Sequence, residues 1–461
     1  MIRISNTMTR TKEEFVPLTS GDVRMYVCGV TVYDYSHIGH ARSAIVFDVI
    51  RRYLVFKGYR VTFVKNYTDV DDRIIRRAND AGVSPREFAE RYIAAERADM
   101  AALGVLAADT DPKATEHVSE MIELIERLVA SGHAYPIDGD VYFEIRRFPP
   151  YGRLSGKNLD ELLAGARVEV DERKRDPRDF ALWKSSKPGE PAWESPWGQG
   201  RPGWHIECSA MAMRYLGESF DLHGGGEDLI FPHHECEIAQ SEACTGKPFA
   251  RYWVHNGMVN MGKEKMSKSL GNTLSIREIV KRHDPDALRL WMLGTHYRNM
   301  IEWSEERVVE SARALERLAR LLHDAAAVRG AGAELPPGFA EYRARFEKAM
   351  DDDFNTPQAL GALFDFGRAL AEARDREPDA PGAFVAGVDE LVRLGRVLGL
   401  FGRDAAVNGP GTEVERLVAA RAEARARRDF KRADEVRDEI ARLGWLVEDT
   451  PAGPRLTPKG R

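Results

Sequence analysis

The sequence predicts an α/β chain over its first 300 residues and a helical one beyond, and three observations carry that prediction. Val23, Met25, Tyr26, Val27 and Val30 form an apolar run of strand length ending at Gly29-Val30. A continuous run of this kind suits a strand covered on both faces, as in a parallel sheet. From Ala41 to Phe56 the residues Ile45, Val46, Val49, Ile50, Tyr53 and Leu54 recur at helical spacing, and a second strand-like run, Tyr59–Tyr67, follows. Strand, helix and strand therefore alternate, the pattern of a parallel sheet with crossover helices. Beyond Trp303 the apolar spacing is overwhelmingly helical.

The elements follow in order. Asp71 and Asp72 cap and charge the first turn of a helix predicted at Asp72–Ala81, in preference to a metal cluster with Asp69, and a second helix covers Ser84–Leu103. His117–Ala130 is amphipathic, and Tyr135–Ile145 reads as a hairpin about Asp138-Gly139. From Pro149 to Gly203 the chain is polar and turn-rich, so roughly residues 115–201 form an insertion, too short for a separate hydrolytic domain. A helix at Trp204–Arg214, a short strand at Phe220–His223, a helix from about Pro232 to Cys244 and a strand at Tyr252–Val259 come next. Lys263–Asn272 reads as a loop and Ile276–Leu293 as one helix. Ser304 is a good cap for a helix striped with Val308, Ala312, Leu315, Leu318 and Leu322. Gly330–Gly338 is a loop, Asp353–Pro357 lies between two helices, and Gly402–Gly411 is a linker by composition. One last helix, Glu413–Leu443, leads to a tail that suits a small hairpin.

A chain of 461 residues accommodates two to four domains. Its 43% hydrophobic and 30% charged residues are ordinary for a soluble globular protein. No apolar run reaches the length of a membrane span, and M-I-R-I-S-N-T lacks a signal-peptide core, so a cytoplasmic protein is expected. The net charge of −6, from 67 basic and 73 acidic residues, leaves any nucleic-acid partner to local basic faces. The four cysteines, Cys28, Cys208, Cys236 and Cys244, are few and widely spaced. That argues against a disulfide framework and leaves metal, catalytic or buried-thiol roles open.

In an open α/β sheet, ligands collect beyond the carboxyl ends of strands, beside helix N-termini. Cys28 falls at the first strand end, and His37 and His40 at the entrance of the helix, with Gly39 between them leaving room for close approach. Far downstream stands Lys265-Met266-Ser267-Lys268-Ser269. A charge run in a loop is ordinarily just solvated, but the methionine, the serines and the flanking glycines make this one atypical. Gly224-Gly225-Gly226 by itself reads as a turn. His233 and Glu237, four apart on a predicted helix, can face one ligand. With Cys28 and Cys208 they are metal candidates, yet none has the tight C-x-x-C spacing of a strong zinc signal. The pattern alone fits buried thiols and a surface histidine better, and Cys236 and His234 are rival ligands.

Taken together, H-I-G-H at 37–40 and K-M-S-K-S at 265–269, in this order, resemble the signature of the class I aminoacyl-tRNA synthetases. N-Y-T-D-V-D-D at 66–72, D-A-L-R at 286–289 and the four metal candidates narrow the resemblance to the cysteinyl-tRNA synthetase family. The resemblance spans essentially the whole chain. It implies a Rossmann-like parallel-sheet nucleotide-binding catalytic domain at 1–300, with the insertion at about 115–201. A helical anticodon-side bundle at 301–401 and a small tRNA-binding domain at 412–461 would follow. The implied reaction makes cysteinyl-adenylate from L-cysteine and ATP, then transfers cysteine to the terminal ribose of tRNA(Cys). In that family pattern His37, His40, Lys265 and Lys268 serve catalysis, and Gly39, His40, Gly226, Asp228 and Lys268 hold ATP, with magnesium. Gly29, Trp204 and His223 would line the cysteine pocket. Cys28, Cys208, His233 and Glu237 would hold one zinc ion per chain, Glu237 being preferred to Cys236 on the family pattern alone.

A monomer is expected. The basic residues Arg421, Arg425, Arg427, Arg428, Lys431 and Arg432, interleaved with acids, fit a solvated helix face as well as an RNA contact, and the resemblance implies that the tRNA anticodon end lies there. The tail V-E-D-T-P-A-G-P-R-L departs from the family by lacking an aromatic near Leu456, which puts base stacking there in doubt. Two rival readings remain: a ligase joining cysteine to a glucosaminyl-inositol, and a non-catalytic RNA-binding relative. The long C-terminal extension argues against the first, the intact motifs against the second.

Overall fold

A computed structural model describes residues 1–461 except 157–171, 262–263, 266–273, 329–333, 377–380, 403–411, 428, 443–444, 451–452 and 459–461. The chain begins with an antiparallel pair, β1 (Arg3–Asn6) and β2 (Thr11–Glu14). Then come β3 (Asp22–Thr31), α1 (Ile38–Phe56) and β4 (Arg60–Thr68), with β3 and β4 parallel. Helices α2 (Asp72–Ala81) and α3 (Pro85–Ala102) follow; Asp71 caps the first through Arg73 N–H and Ser84 the second through Glu87 N–H.

The inserted stretch comprises α4 (Val118–Ala130) and the strands β5 (Ala134–Ile137), β6 (Asp140–Phe143), β7 (Phe180–Ser185) and β8 (Gly200–Pro202), an antiparallel sheet in that order. The chain re-enters the central sheet through α5 (Trp204–Leu216), β9 (Phe220–Gly226), α6 (Glu235–Thr245) and β10 (Ala250–Asn256). The central order is β10-β9-β3-β4, every neighbour parallel. The chain leaves β3 toward β4 on one side and toward β9 on the other, so the carboxyl end of β3 is a topological switch point. The expectation of a parallel α/β sheet followed by helices holds. Tyr26, Val64, Ile125, Trp183, Met211 and Trp253 belong to one buried cluster that joins the sheet to the inserted stretch.

A small sheet, β11 (Val259–Met261), β12 (Glu264–Lys265) and β13 (Ile301–Glu302), is ordered β12-β11-β13, and α7 (Ile276–Arg282) and α8 (Pro285–Leu293) lie between its last two strands in sequence. The rest is helical: α9 (Glu305–Ala327), α10 (Pro337–Asp351), α11 (Thr356–Arg376), α12 (Pro381–Val397), α13 (Thr412–Ala426) and α14 (Phe430–Arg442), then the hairpin β14 (Trp445–Thr450) and β15 (Gly453–Pro458). Two compact units result. One is Met1–Pro285 with Trp291–Glu305 and Lys348–Pro357; the other is Asp286–Leu290, Glu306–Glu347 and Gln358–Arg461.

In the first unit, the buried Asp353 carboxylate accepts from Ser5 N–H and Oγ–H at 2.7 Å, and from Tyr297 Oη–H and Arg298 Nε at 2.8 Å. In the second, the D-A-L-R letters brace the end of α12. Arg289 Nε donates to Leu398 O at 2.6 Å, and Asp286 accepts from Phe401 N–H at 3.0 Å.

Four expectations are corrected. β9 does not stop at His223 but runs through all three glycines, because packing requires them: a Cβ on Gly224 would meet Phe47 at 2.3 Å and one on Gly225 would meet His234 at 2.8 Å. The strand expected at Tyr252–Val259 is two, β10 and β11. The helix expected at Ile276–Leu293 is also two. His283 ends the first in an extended conformation (φ −129°, ψ 146°), and Pro285 is the first residue of the second, where its missing N–H has no helical partner to lose. The last helix likewise breaks near Asp429, whose carboxylate accepts from Arg432 N–H and restarts the helix. The loop expected at Lys263–Asn272, apart from the β12 backbone, lies outside the described residues, as does the linker beyond Gly402. Among the described residues no helix is long and apolar enough to cross a membrane.

Candidate active site

The donor cluster assembles from three separate elements. Cys28 comes from the end of β3, Cys208 from α5, and His233 and Glu237 from the turn into α6 and its first turn. Their ligand atoms all lie within 4.8 Å of one another and all four residues are buried. The Cys28 thiol donates to Glu237 Oε1 at 3.3 Å, and His233 Nε2 lies 3.2 Å from the same oxygen. His223 Nε2 is 2.9 Å from Glu237 Oε2. Cys28, His223, His234 and Glu237 form a second, overlapping group of the same kind.

Burial governs the charge states. Loss of water pushes the Cys28 and Cys208 thiols up and holds His233 and His234 well below the ordinary imidazole range. Glu237 thus faces two neutral thiols and the neutral imidazoles of His233 and His234, and its ion-pair contacts among the described residues are all histidines. A fully buried carboxylate without a cation is costly. His223 Nδ1 and His234 Nε2 are also buried without a hydrogen-bond partner among the described residues. Two sulfurs, an imidazole and a carboxylate at this spacing fit a borderline-soft divalent cation.

The surroundings hold the donors still. His205 Nδ1 lies 2.9 Å from His233 Nδ1, occupying the ring nitrogen that faces away from Glu237. Trp204 stacks on His233 (centroids 4.3 Å, planes 26° apart) and His223 stacks on Trp253 (4.4 Å, 15°). Cys236 goes elsewhere: its Sγ sits 3.2 Å from Tyr151 Oη, and it belongs to neither converging group. Sequence reasoning missed His205 and His255, which carry no local motif. It also gave no role to Asn66, whose Oδ1 accepts from Gly29 N–H at 2.8 Å and from the Cys208 thiol at 3.7 Å.

The histidine pair occupies the turn that follows β3. His37 caps α1, its Nδ1 accepting from Gly39 N–H at 3.1 Å, while His37 N–H donates to His40 Nδ1 at 3.3 Å. The two rings stack with centroids 3.8 Å apart, and a Cβ on Gly39 would press on His37 at 2.9 Å. Ile38 N–H donates to Leu274 O at 3.0 Å and Ile276 N–H to Ser36 O at 3.1 Å. The segment that follows K-M-S-K-S in sequence is therefore tied by its backbone to the histidine turn. Lys268 lies outside the described residues, and Lys265 is described only as part of β12. Gly226 ends β9, and Asp228 stands exposed on the single turn Glu227–Leu229 beyond it. The histidine turn and Asp228 thus follow the carboxyl ends of adjacent parallel strands.

This arrangement is that of a class I synthetase. A family model described as "tRNA synthetases class I (C) catalytic domain" matches residues 14–313, a DALR domain matches 345–402, and a cysteinyl-tRNA ligase anticodon binding domain matches 409–453. The chain is 54% identical to a cysteine–tRNA ligase of Geobacter sulfurreducens over 98% of both chains. It is 53% identical to that of Alkalilimnicola ehrlichii over 98% of this chain and 99% of the relative. The chain belongs to the cysteine–tRNA ligase family, and it is an enzyme of protein biosynthesis. Solved structures share the fold at low identity. Mycobacterium tuberculosis methionyl-tRNA synthetase with methionyl-adenylate has a TM-score of 0.61 at 16% identity, over 82% of this chain and 90% of that one. An Agrobacterium radiobacter LeuRS in complex with tRNA and LeuAMS has 0.64 at 14%, over 86% and 87%. The glucosaminyl-inositol ligase and the non-catalytic relative are not favoured, since the similarity runs through the anticodon binding domain.

Proposed function

We propose that the chain activates L-cysteine with ATP and transfers it to the 3′-terminal ribose of tRNA(Cys), with one zinc ion on Cys28, Cys208, His233 and Glu237 selecting the substrate thiol. The observation that carries this reading is the buried convergence of two thiols, an imidazole and a carboxylate within 4.8 Å, beside the end of β3, the strand whose next turn bears His37 and His40. When bound there, zinc supplies a soft cationic position that prefers a thiolate sulfur to a hydroxyl oxygen, a distinction that shape alone makes poorly between cysteine and serine.

The chain's own residues do the rest. Trp204 and His223, each held by a stacking partner, wall the amino-acid pocket, and Gly29 leaves it open to backbone. In the first half-reaction a carboxylate oxygen of cysteine attacks the α-phosphorus of ATP and the bond to pyrophosphate breaks. His37 and His40 meet the phosphates at the start of α1, where the helix dipole already favours an anion. Gly39 admits the nucleotide to the backbone, and Gly226 and Asp228 receive the ribose. Lys265 and Lys268 offset charge developing on the leaving group, with magnesium on the phosphates. In the second half-reaction a ribose hydroxyl attacks the carbonyl carbon and AMP leaves. Residues 1–300, with the insertion at about 115–201, do this chemistry. The helices of 301–401 and the basic segment within 412–461 carry the anticodon end. A monomer working in the cytoplasm completes the reading.

Cobalt substitution tests it. Cobalt in this site should give a sulfur charge-transfer band that grows when cysteine is added and does not grow with serine. A purified protein that holds no stoichiometric metal yet rejects serine would overturn the role of the metal.

A further inference from the structure

We infer that Asn66 is the positioning residue that aims Cys28 into the donor cluster, by holding open a bulge in β3. The inference rests on the metal reading above and asks what places its first sulfur. β3 and β4 pair in step from Asp22–Arg60 to Val27–Lys65, and pairing then resumes at Val30–Tyr67. Between those points β3 contributes two residues, Cys28 and Gly29, and β4 only one, Asn66. This is a one-residue bulge, the device by which strands re-aim a side chain beside a site.

Three contacts lock it. Gly29 N–H donates to the side-chain Oδ1 of Asn66 at 2.8 Å, so the amide next to Cys28 is satisfied by a side chain. A Cβ on Gly29 would fall 1.6 Å from the carbonyl oxygen of Asn66 and 2.7 Å from its carbonyl carbon, an approach open only to glycine. The Cys208 thiol donates to the same Oδ1 at 3.7 Å. One amide oxygen, on a side chain that is 1% exposed, therefore touches the backbone beside one sulfur donor and the other sulfur itself. It belongs to neither ligand.

Removing that acceptor leaves a half-buried N–H without its protein partner, at a cost of at most roughly 1–3 kcal/mol. Returning to regular pairing, Cys28 opposite Asn66 and Gly29 opposite Tyr67, would relieve it. A one-residue slip reverses which face each side chain beyond Cys28 occupies, so the regular ladder would re-aim the strand end that presents Cys28 to Glu237. Asn66 decides in favour of Cys28.

Asn66→Leu, close in size but without an acceptor, is the test. Cobalt is titrated into the full-length protein, reading affinity and thiolate-to-cobalt charge-transfer absorbance per bound ion, with thermal unfolding followed alongside. Cys28→Ser supplies the one-thiolate reference. Expected are ~10–100-fold weaker cobalt binding, the usual penalty for losing a group that orients a ligand, and a per-ion intensity near that reference. A merely destabilising substitution would not change the intensity per bound ion. If the leucine variant does not fold, Asn66→Ser, whose hydroxyl is too short to reach Gly29 N–H, gives the same reading. Parental affinity and per-ion intensity in either folded variant would overturn the inference while the metal reading stands. A parent that binds no stoichiometric cobalt would overturn both.

Discussion

Arg42, two residues beyond His40, is fully buried and donates to the carbonyls of Met292, Thr295 and His296, the last two at 3.1 and 3.0 Å. Carbonyls at and just past a helix end have no partner within the helix, so the guanidinium serves as a cap delivered from another element. Burial lowers its pKa only to about 10, and it stays charged near neutral pH. Met292 O and His296 O also accept from the N–H groups of Thr295 and Asn299, so Arg42→Met removes one of their donors and should cost roughly 1–3 kcal/mol. Urea unfolding reads this as a lower midpoint at an unchanged m-value. An unmoved midpoint would mean that other donors replace the arginine. The sequence placed Arg42 on the first helix and said nothing of its partners, which lie some 250 residues away.

Among the elements, β10 carries a titration that follows from its burial. His255 sits between His234 Nδ1 and Thr7 Oγ1, each 2.8 Å from one of its ring nitrogens, and desolvation lowers its pKa to about 3, with a smaller contribution from His223. An unfolded histidine binds its proton near pH 6.5, while this one resists until about pH 3. Its contribution to stability is therefore whole above pH 6.5 and is lost progressively as the pH falls from there toward 3. His255→Asn should flatten the dependence of unfolding free energy on pH by about 1.4 kcal/mol per unit between pH 6 and 4. Equal slopes in parent and variant would show that His255 takes its proton in the folded state. The elements themselves were largely legible. Helical periodicity located α1, α3 and α4 because it depends on residues three and four apart. The breaks before α8 and α14 were not, even though Pro285 and Asp429 stood in view, because apolar residues recur at helical spacing on both sides of each break.

Across the whole molecule, the segment after the linker has a hydrophobic cluster of its own, made of Val414, Leu417, Val436, Ile440 and Val447. A chain ending at Phe401 should therefore keep cysteine-dependent ATP–pyrophosphate exchange. It should bind tRNA more weakly, with a flatter dependence of affinity on salt, because each lost phosphate contact removes counterion release. Unchanged tRNA affinity and salt slope in the truncated chain would count against an RNA role for the basic residues of α13 and α14.

What the sequence determined by itself is everything written in short strings: the strand–helix–strand start, the H-I-G-H and K-M-S-K-S motifs, and the helical second half. Each depends on neighbours a few residues apart. What only the tertiary structure decided is which side chains meet. Cys236 and Glu237 are adjacent, and on a helix one step is a turn of about 100°, so the choice between them rests on how α6 is rotated against its surroundings. Tyr151 takes Cys236, and Glu237 is left facing Cys28. Asn66 follows the same logic: its importance arises from an extra residue in the facing strand, a register that no pattern within either strand records.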